Sequence, residues 1–251
     1  MYLSEIYKNV HTILSKDGNE GFISMDRWNS MLPSWNHEFI RAKIEEQFTI
    51  TPEGKLIPKT IYSSKILSGL IVSETLAGTL VSGERRFTPT NMMFWLSAET
   101  TTAYNNQIAQ VELINEYEFK NRKSNLMAKP ISENPVALQR GGYIWVWPTD
   151  ISSIDISHVK IPTSPFLDYY MDANYDTQFL SVGEGIVISA GSQYRDGTTS
   201  GSKNSATVEL EIPVNMHPAF QEYIIESLQR MTGDLQAEQI SLAKRQMEES
   251  K

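Results

Sequence analysis

A chain of 251 residues, 40% apolar and 21% charged, has enough sequence to bury a core as one large domain or two small ones. A formal net charge of −8 excludes a protein that coats nucleic acid, whose affinity would come from clustered Lys and Arg neutralising phosphates, yet it suits a wall along which DNA slides. The lack of cysteine excludes disulfides and thiolate metal sites.

Residues Met1 to Ser15 lack the charged start and apolar centre of a signal peptide. Ile6, Val10, Ile13 and Leu14 instead recur at helical spacing, which predicts an amphipathic helix from Ser4 to Ser15. Ser24 is the expected N-cap of a second helix, with Asp26 in its first turn. Pro33 is expected to break or kink it, and Ser34 to cap a continuation carrying Trp35, Phe39, Ile40 and Ile44 to about Phe48. The segment between the helices, Lys16 to Ser24, invites a calcium-loop reading. With Gly21 at loop position 6, however, the ligand positions fall on Lys16, Gly18, Glu20 and Arg27, and two cations do not bind calcium. A helix–helix turn is the expectation.

Pro52 to Lys55 reads as a turn, followed by extended pieces at Leu56–Ile57 and Ile61–Tyr62. Ile66 to Val81 fits either a buried helix or two strands, since periodicity does not separate them. The apolar window Ile66–Gly83 is interrupted by Glu74, Ser and Thr, so no membrane span is expected. Met92 to Leu96 reads as a buried strand, Val111 to Ile114 as an acidic strand, and Glu116 to Leu126 as a short helix.

On the strand Gly142 to Pro148, Tyr143, Trp145 and Trp147 share one face while Ile144 and Val146 point the other way. Such an aromatic row serves as core, as a subunit contact, or as a stacking platform for bases or sugars, and core or contact is the commoner use. A second strand follows at Ile154 to Lys160, with His158 expected to be hydrogen-bonded structure. Asp168, Asp172 and Asp176 are expected to be solvated acids in a long loop. Ile186 to Ile188 and Val208 to Ile212 read as strands of one hairpin whose tip is the Gly/Ser/Thr-rich segment 189–206. Pro218 opens a C-terminal helix with the stripe Phe220, Ile224, Leu228 and Met231, continuing as a mostly polar helix to residue 251.

The expected class is therefore α+β: an N-terminal helical hairpin, a central, mostly antiparallel β-domain (sandwich or barrel) with a long polar hairpin, and a C-terminal helix. The expected segments are 1–50, 51–213 with the inserted loop 189–206, and 214–251. No catalytic, cofactor or metal constellation stands out. His11, His37, His158 and His217 are scattered, no phosphate loop or dinucleotide-binding glycine motif is present, and Gly183-Glu184-Gly185 lacks a nucleophilic serine.

The order of elements carries a resemblance. The opening helix, the Gly21 to Ser24 turn, the acidic strand with its Pro loop (Val111 to Pro135), Gly142 to Ile151, Ile154 to Lys160, and the entry through Pro213 to Pro218 together resemble structural proteins of tailed bacteriophages, including the neck ring proteins of crAss-like phages of Bacteroidetes. Lys160-Ile161-Pro162 stands where that group usually has Arg or Lys followed by Lys-Pro, and Ile66–Arg86 has no counterpart. The resemblance implies a non-enzymatic virion protein, assembled in the host cytoplasm as a twelve-fold ring of its own copies. Such a ring would touch the portal and other neck or tail proteins, pass double-stranded DNA without reading its sequence, use no cofactor and contact no membrane. Candidate subunit-interface residues on that reading are Tyr143, Trp145, Trp147, Tyr194, Arg195, Phe220, Ile224 and Leu228.

Overall fold

The computed structural model describes residues 2–16, 23–59, 67–101 and 108–231. It is α+β, with N-terminal helices, a β-domain of mostly antiparallel sheets and a helix near the C-terminus. The chain forms two compact units, one of Met1–Arg41 with Thr163–Lys251 and the other of Ala42–Pro162. This division differs from the expected segments, because residues 163–213 group with the terminal helices instead of with the β-strands before them. Periodicity reports which face of an element is apolar but not which element covers it.

Helix α1 (Leu3–Lys16) forms where Leu3, Ile6, Tyr7, Val10 and Leu14 fall on one buried face. Its first N–H groups need acceptors, and the Leu3 N–H donates to the Glu209 carboxylate at 2.9 Å. Helix α2 (Met25–Gln47) belongs to the first unit as far as Arg41. Ser24 caps it, its hydroxyl oxygen accepting from the Arg27 N–H at 3.3 Å. Of the break or kink expected at Pro33, the break does not occur, and the helix runs through it. Proline removes one backbone bond and crowds a carbonyl, at a cost of about 3 kcal/mol. The buried stripe Trp28, Leu32, Trp35, Phe39 and Ile40 continues in register on both sides and outweighs it. The calcium-loop reading between these helices lies outside the described residues.

In the second unit, β1 (Phe48–Ile50) and β2 (Leu56–Pro58) form a hairpin around Gly54, as expected of that turn. The ambiguous stretch resolves into strands β3 (Ile71–Ala77) and β4 (Thr79–Val81), followed by β5 (Glu84–Phe87). Then come β6 (Met92–Thr101), β7 (Ile108–Gln110), β8 (Glu112–Leu113), helix α3 (Glu116–Ser124), β9 (Val136–Arg140), β10 (Tyr143–Trp147) and β11 (Ser153–Lys160). The expected extended piece at Ile61–Tyr62 falls outside the described residues. Two sheets result, ordered β3-β11-β6-β7 and β4-β5-β10-β9-β8. Leu76, Trp95, Ala98, Ile154 and Ile156 of the first meet Phe87, Leu113, Ala137, Ile144 and Val146 of the second in one apolar layer, which makes a sandwich. Gly78 lies where the chain leaves one sheet for the other. A Cβ there would come within 2.6 Å of the Arg85 and Phe87 side chains. His158 is fully buried, and its Nε2–H donates to the Thr90 carbonyl at 3.1 Å, the structural role expected of it.

The remainder of the first unit holds β12 (Tyr169–Met171), β13 (Thr177–Phe179), β14 (Gly185–Ile188), β15 (Gln193–Tyr194), β16 (Gly201–Asn204) and a helix, α4, over 217–231. The expected hairpin is corrected here. Strand β14 pairs with β16, inside the polar segment, while β15 pairs with β12. Among residues 208–212 only Val208 makes a β-bridge, to Phe166. The polar segment is organised by a carboxylate instead of by a flanking strand. Asp168 is fully buried, not solvated as expected. It accepts from the Tyr194 hydroxyl, from Arg195 Nε at 2.7 Å, from the Ala206 N–H at 2.8 Å and from the Tyr169 N–H at 3.0 Å. Four donors on one carboxylate satisfy its lone pairs and compensate its burial. Asp172, in contrast, closes the exposed β12–β13 turn, and bonds from Gln178, Asp176 and Asn174 hold its carboxyl below the usual range.

Replacing Asp168 with Asn leaves Arg195 without its charge partner, so the Asp168→Asn variant is expected to lose about 3 kcal/mol of unfolding free energy in urea denaturation. A change under about 0.5 kcal/mol would show that this hub does not hold the unit. A pH dependence follows from Tyr169, whose hydroxyl donates to Asp26 at 3.0 Å. Burial, and then Asp26, push the Tyr169 pKa up to about 12. A raised phenol pKa means the folded state keeps its proton longer than the unfolded state. Its contribution is whole below the ordinary value of 10.0 and is lost as pH climbs toward about 12. Thermal unfolding of wild type should therefore show an alkaline decline in that window, reduced in Tyr169→Phe.

Candidate functional site

The residues singled out from sequence on β10 come together on the outer face of the five-stranded sheet. Gly141 and Gly142 both adopt positive φ (60° and 78°) in the two-residue turn joining β9 to β10, a conformation open to glycine and matched to strand twist. The turn fixes the register Tyr143↔Arg140, Trp145↔Leu138 and Trp147↔Val136. Ile144 and Val146 then point into the sandwich with no exposure, and the three aromatics point outward, partly buried.

Each aromatic ring carries a cation on its face. The Arg86 guanidinium lies 4.5 Å from the Tyr143 centroid, Arg140 lies 5.0 Å from Trp145, and the Lys123 ammonium lies 4.7 Å from Trp147. Arg86 reaches Tyr143 diagonally, because its own cross-strand partner is Trp145. Helix α3 covers one margin of this face. Its Phe119 packs with Ile114, Val136 and Leu138, and Trp145 and Trp147 pack against that cluster. The helix is fixed by Asn115, whose side chain accepts from the Glu118 N–H at 2.9 Å.

Two of the three cations have carboxylate partners. Lys123 bonds Glu84 at 2.6 Å, and Arg140 lies 3.6 Å from Glu116, whose carboxyl Lys120 holds below the usual range. Arg86 meets no carboxylate among the described residues, and its buried Nε has no hydrogen-bond partner there, nor do Trp145 Nε1 and Trp147 Nε1. Three unpaired donors on one sheet face depart from the general satisfaction of buried polar groups. One face of each ring already carries a cation. The half-buried Arg86 guanidinium thus leaves positive charge on this face.

The outer face of the other sheet has the opposite chemistry. Asp155 on β11 stands between Thr75 on β3 and Glu99 on β6, and Ser157 stands between Ser73 and Ser97. Thr75 donates to Asp155 at 2.5 Å, and Gln110 donates to Glu99 at 2.5 Å. These groups line a concavity of about 350 Å³. No cation among the described residues pairs with Asp155 or Glu99.

The other residues named from sequence lie in the first unit, and most are buried by their own chain. Tyr194 is held by Asp168. Phe220, Ile224 and Leu228 form the inner face of α4, with Phe220 edge-on to Phe39 at 5.2 Å. Their side chains are thus packed within their own chain. Arg195 is committed to Asp168 and lies over Phe166 at 4.7 Å. A cavity of about 590 Å³ in this unit is lined by Tyr7, Lys8, Asp26, Tyr169, Met171 and Phe179, among others. Its hydroxyls are engaged locally, Thr12 with the Lys8 carbonyl and Ser24 with the Arg27 N–H.

Among the described residues, no group of three or more His, Cys, Asp or Glu could hold a metal ion, and no helix is long and apolar enough to cross a membrane. Sequence reading missed Arg86, Arg140 and Lys123, whose signal lies in the cross-strand register and not in any local run. It also missed the hydroxyl–acid face, whose signal is the polar half of the alternation in Ser153 to Ser157 and Ser73 to Thr75.

The outer face of a sheet contributes less to folding than its core face. Arg86→Ala is expected to change stability by less than about 1 kcal/mol. Ile144→Ala, on the opposite side of the neighbouring strand, should cost about 3 kcal/mol. Parallel urea titrations measure both; equal losses would make the outer face a folding element. Compared with known proteins, the chain matches no family model and no curated protein.

Proposed function

We propose that the chain is a structural protein of a phage neck: copies of it form a ring between portal and tail, and the ring lines part of the DNA conduit. The observation that carries this reading is the outer face of the five-stranded sheet, where an aromatic row is interleaved with cations and Arg86 has no carboxylate partner among the described residues. Such a face serves attachment more readily than chemistry, since aromatic residues and arginine are the side chains that anchor protein contacts. The order of elements that resembles neck ring proteins, and the net charge of −8, support the same reading. An acidic conduit lets DNA pass without gripping it or reading its sequence. The ring is taken as twelve-fold, with the portal and other neck or tail proteins as neighbours; no cofactor and no membrane contact enter the proposal.

Native mass spectrometry and sedimentation of the full chain test this, alone and mixed with portal rings. The expected outcome is a closed assembly of many copies, formed alone or on the portal. A monomer under both conditions across the accessible concentration range would overturn it.

A further inference from the structure

We infer that the copies join head to tail through the two outer faces of the sandwich, the cation–aromatic face of one copy seating on the hydroxyl–acid face of the next. The inference rests on the ring reading and adds which surface meets which. The two faces belong to one pair of sheets that share a single core. One face has a half-buried guanidinium, Arg86, that meets no carboxylate among the described residues. The other offers the Asp155 and Glu99 carboxylates, directly opposite each other on paired strands, with hydroxyls at Ser73, Thr75, Ser97 and Ser157. Like charges directly opposite destabilise a sheet, and a cation brought between them removes that cost. What each face lacks, the other supplies.

Charge also selects the symmetry. In a two-fold dimer the same patch meets itself. Here that would set Arg86 against Arg86, or Asp155 and Glu99 against their own kind, and like-charge juxtaposition costs several kcal/mol. Pairing unlike faces avoids this and is heterologous, so it propagates until rotation closes it. The product is a ring where that rotation closes, not a two-fold dimer.

Charge reversal on each face, followed by mixing, tests the inference. Arg86→Glu makes the first face acidic, and Glu99→Lys with Asp155→Lys makes the second basic. Each variant alone should associate about tenfold more weakly or worse than wild type by sedimentation. An equimolar mixture should assemble again, with the two variants alternating in native mass spectra, because each reversed face then meets its complement. Circular dichroism checks that each variant is folded. Should the lysine pair unfold the sheet, Glu99→Gln with Asp155→Asn keeps the local hydrogen bonds and is expected to flatten the salt dependence of association. Variants that assemble alone as well as wild type would overturn the face assignment while leaving the ring intact. A wild-type chain that stays monomeric with and without portal would overturn the ring reading, and this inference with it.

Discussion

The sandwich depends on one apolar layer, and β10 is the strand that commits it. Ile144 and Val146 have no exposure and lie among Phe87, Ala137 and Leu113 from neighbouring strands and Trp95, Ile154 and Ile156 from the facing sheet. Burial of side chains this size is worth about 2 kcal/mol each, so a slip of one residue in β10 is prohibitive. The side-chain period of a strand is two. Fixing the aliphatic pair inward therefore obliges Tyr143, Trp145 and Trp147 outward. The outer face is a consequence of the core, and the surrounding residues had to adapt to three large rings standing on a sheet surface. Helix α3 shelters part of them, and cations drawn from β5, β9 and α3 cover the rest.

The first unit solves a different problem. Residues 191–205 are mostly Gly, Ser, Thr and charged side chains and have too little apolar surface to build a core of their own. A buried carboxylate does the organising. Asp168 gathers a tyrosine hydroxyl, a guanidinium and two backbone N–H groups from three stretches of chain, while its own N–H donates to the Thr207 hydroxyl. Around it, Leu180, Ile188 and Tyr194 form a small apolar cluster. A buried ion pair is weak as a source of net stability, since desolvation offsets much of the attraction. Its donors, however, accept only one geometry. This arrangement specifies the conformation of a segment whose composition alone specifies none.

This contrast explains what was legible in the chain. Helices α1 and α2, the cap at Ser24, the β10 alternation and the short α3 were all readable, because each is encoded by spacing within one element. The continuity of α2 through Pro33 was not, because the stripe that overrides the proline acts through partners distant in sequence. Asp168 looked solvated for the same reason: its spacing to Asp172 and Asp176 is local, while Tyr194, Arg195 and Ala206 lie far along the chain. Val208 to Ile212 has a strand's alternation yet makes a single bridge, and its acids serve elsewhere, Glu209 at the start of α1 and Glu211 on the Thr163 N–H. The aromatic half of the candidate site was visible in the residues Tyr143, Trp145 and Trp147. The cationic half was not, since Arg86 and Lys123 reach those rings only once the sheet order β5-β10-β9 and the position of α3 are set.

Local rules broken without compensation inside the chain are the places where function enters. The Asp168 hub breaks none, because its buried charge meets four donors. The sandwich breaks several, and two of these departures involve charge. It keeps Asp155 and Glu99 side by side on paired strands, although a neutral residue at either position would relieve their repulsion. It also keeps Arg86 on an aromatic face with a buried Nε that bonds to nothing among the described residues, although a shorter side chain would avoid stranding that donor. The two departures have opposite charge and lie on opposite outer faces of the same sandwich. On the head-to-tail reading proposed above, a contact that joins them sets the Arg86 charge against the two carboxylates, which the shared core keeps apart within one copy.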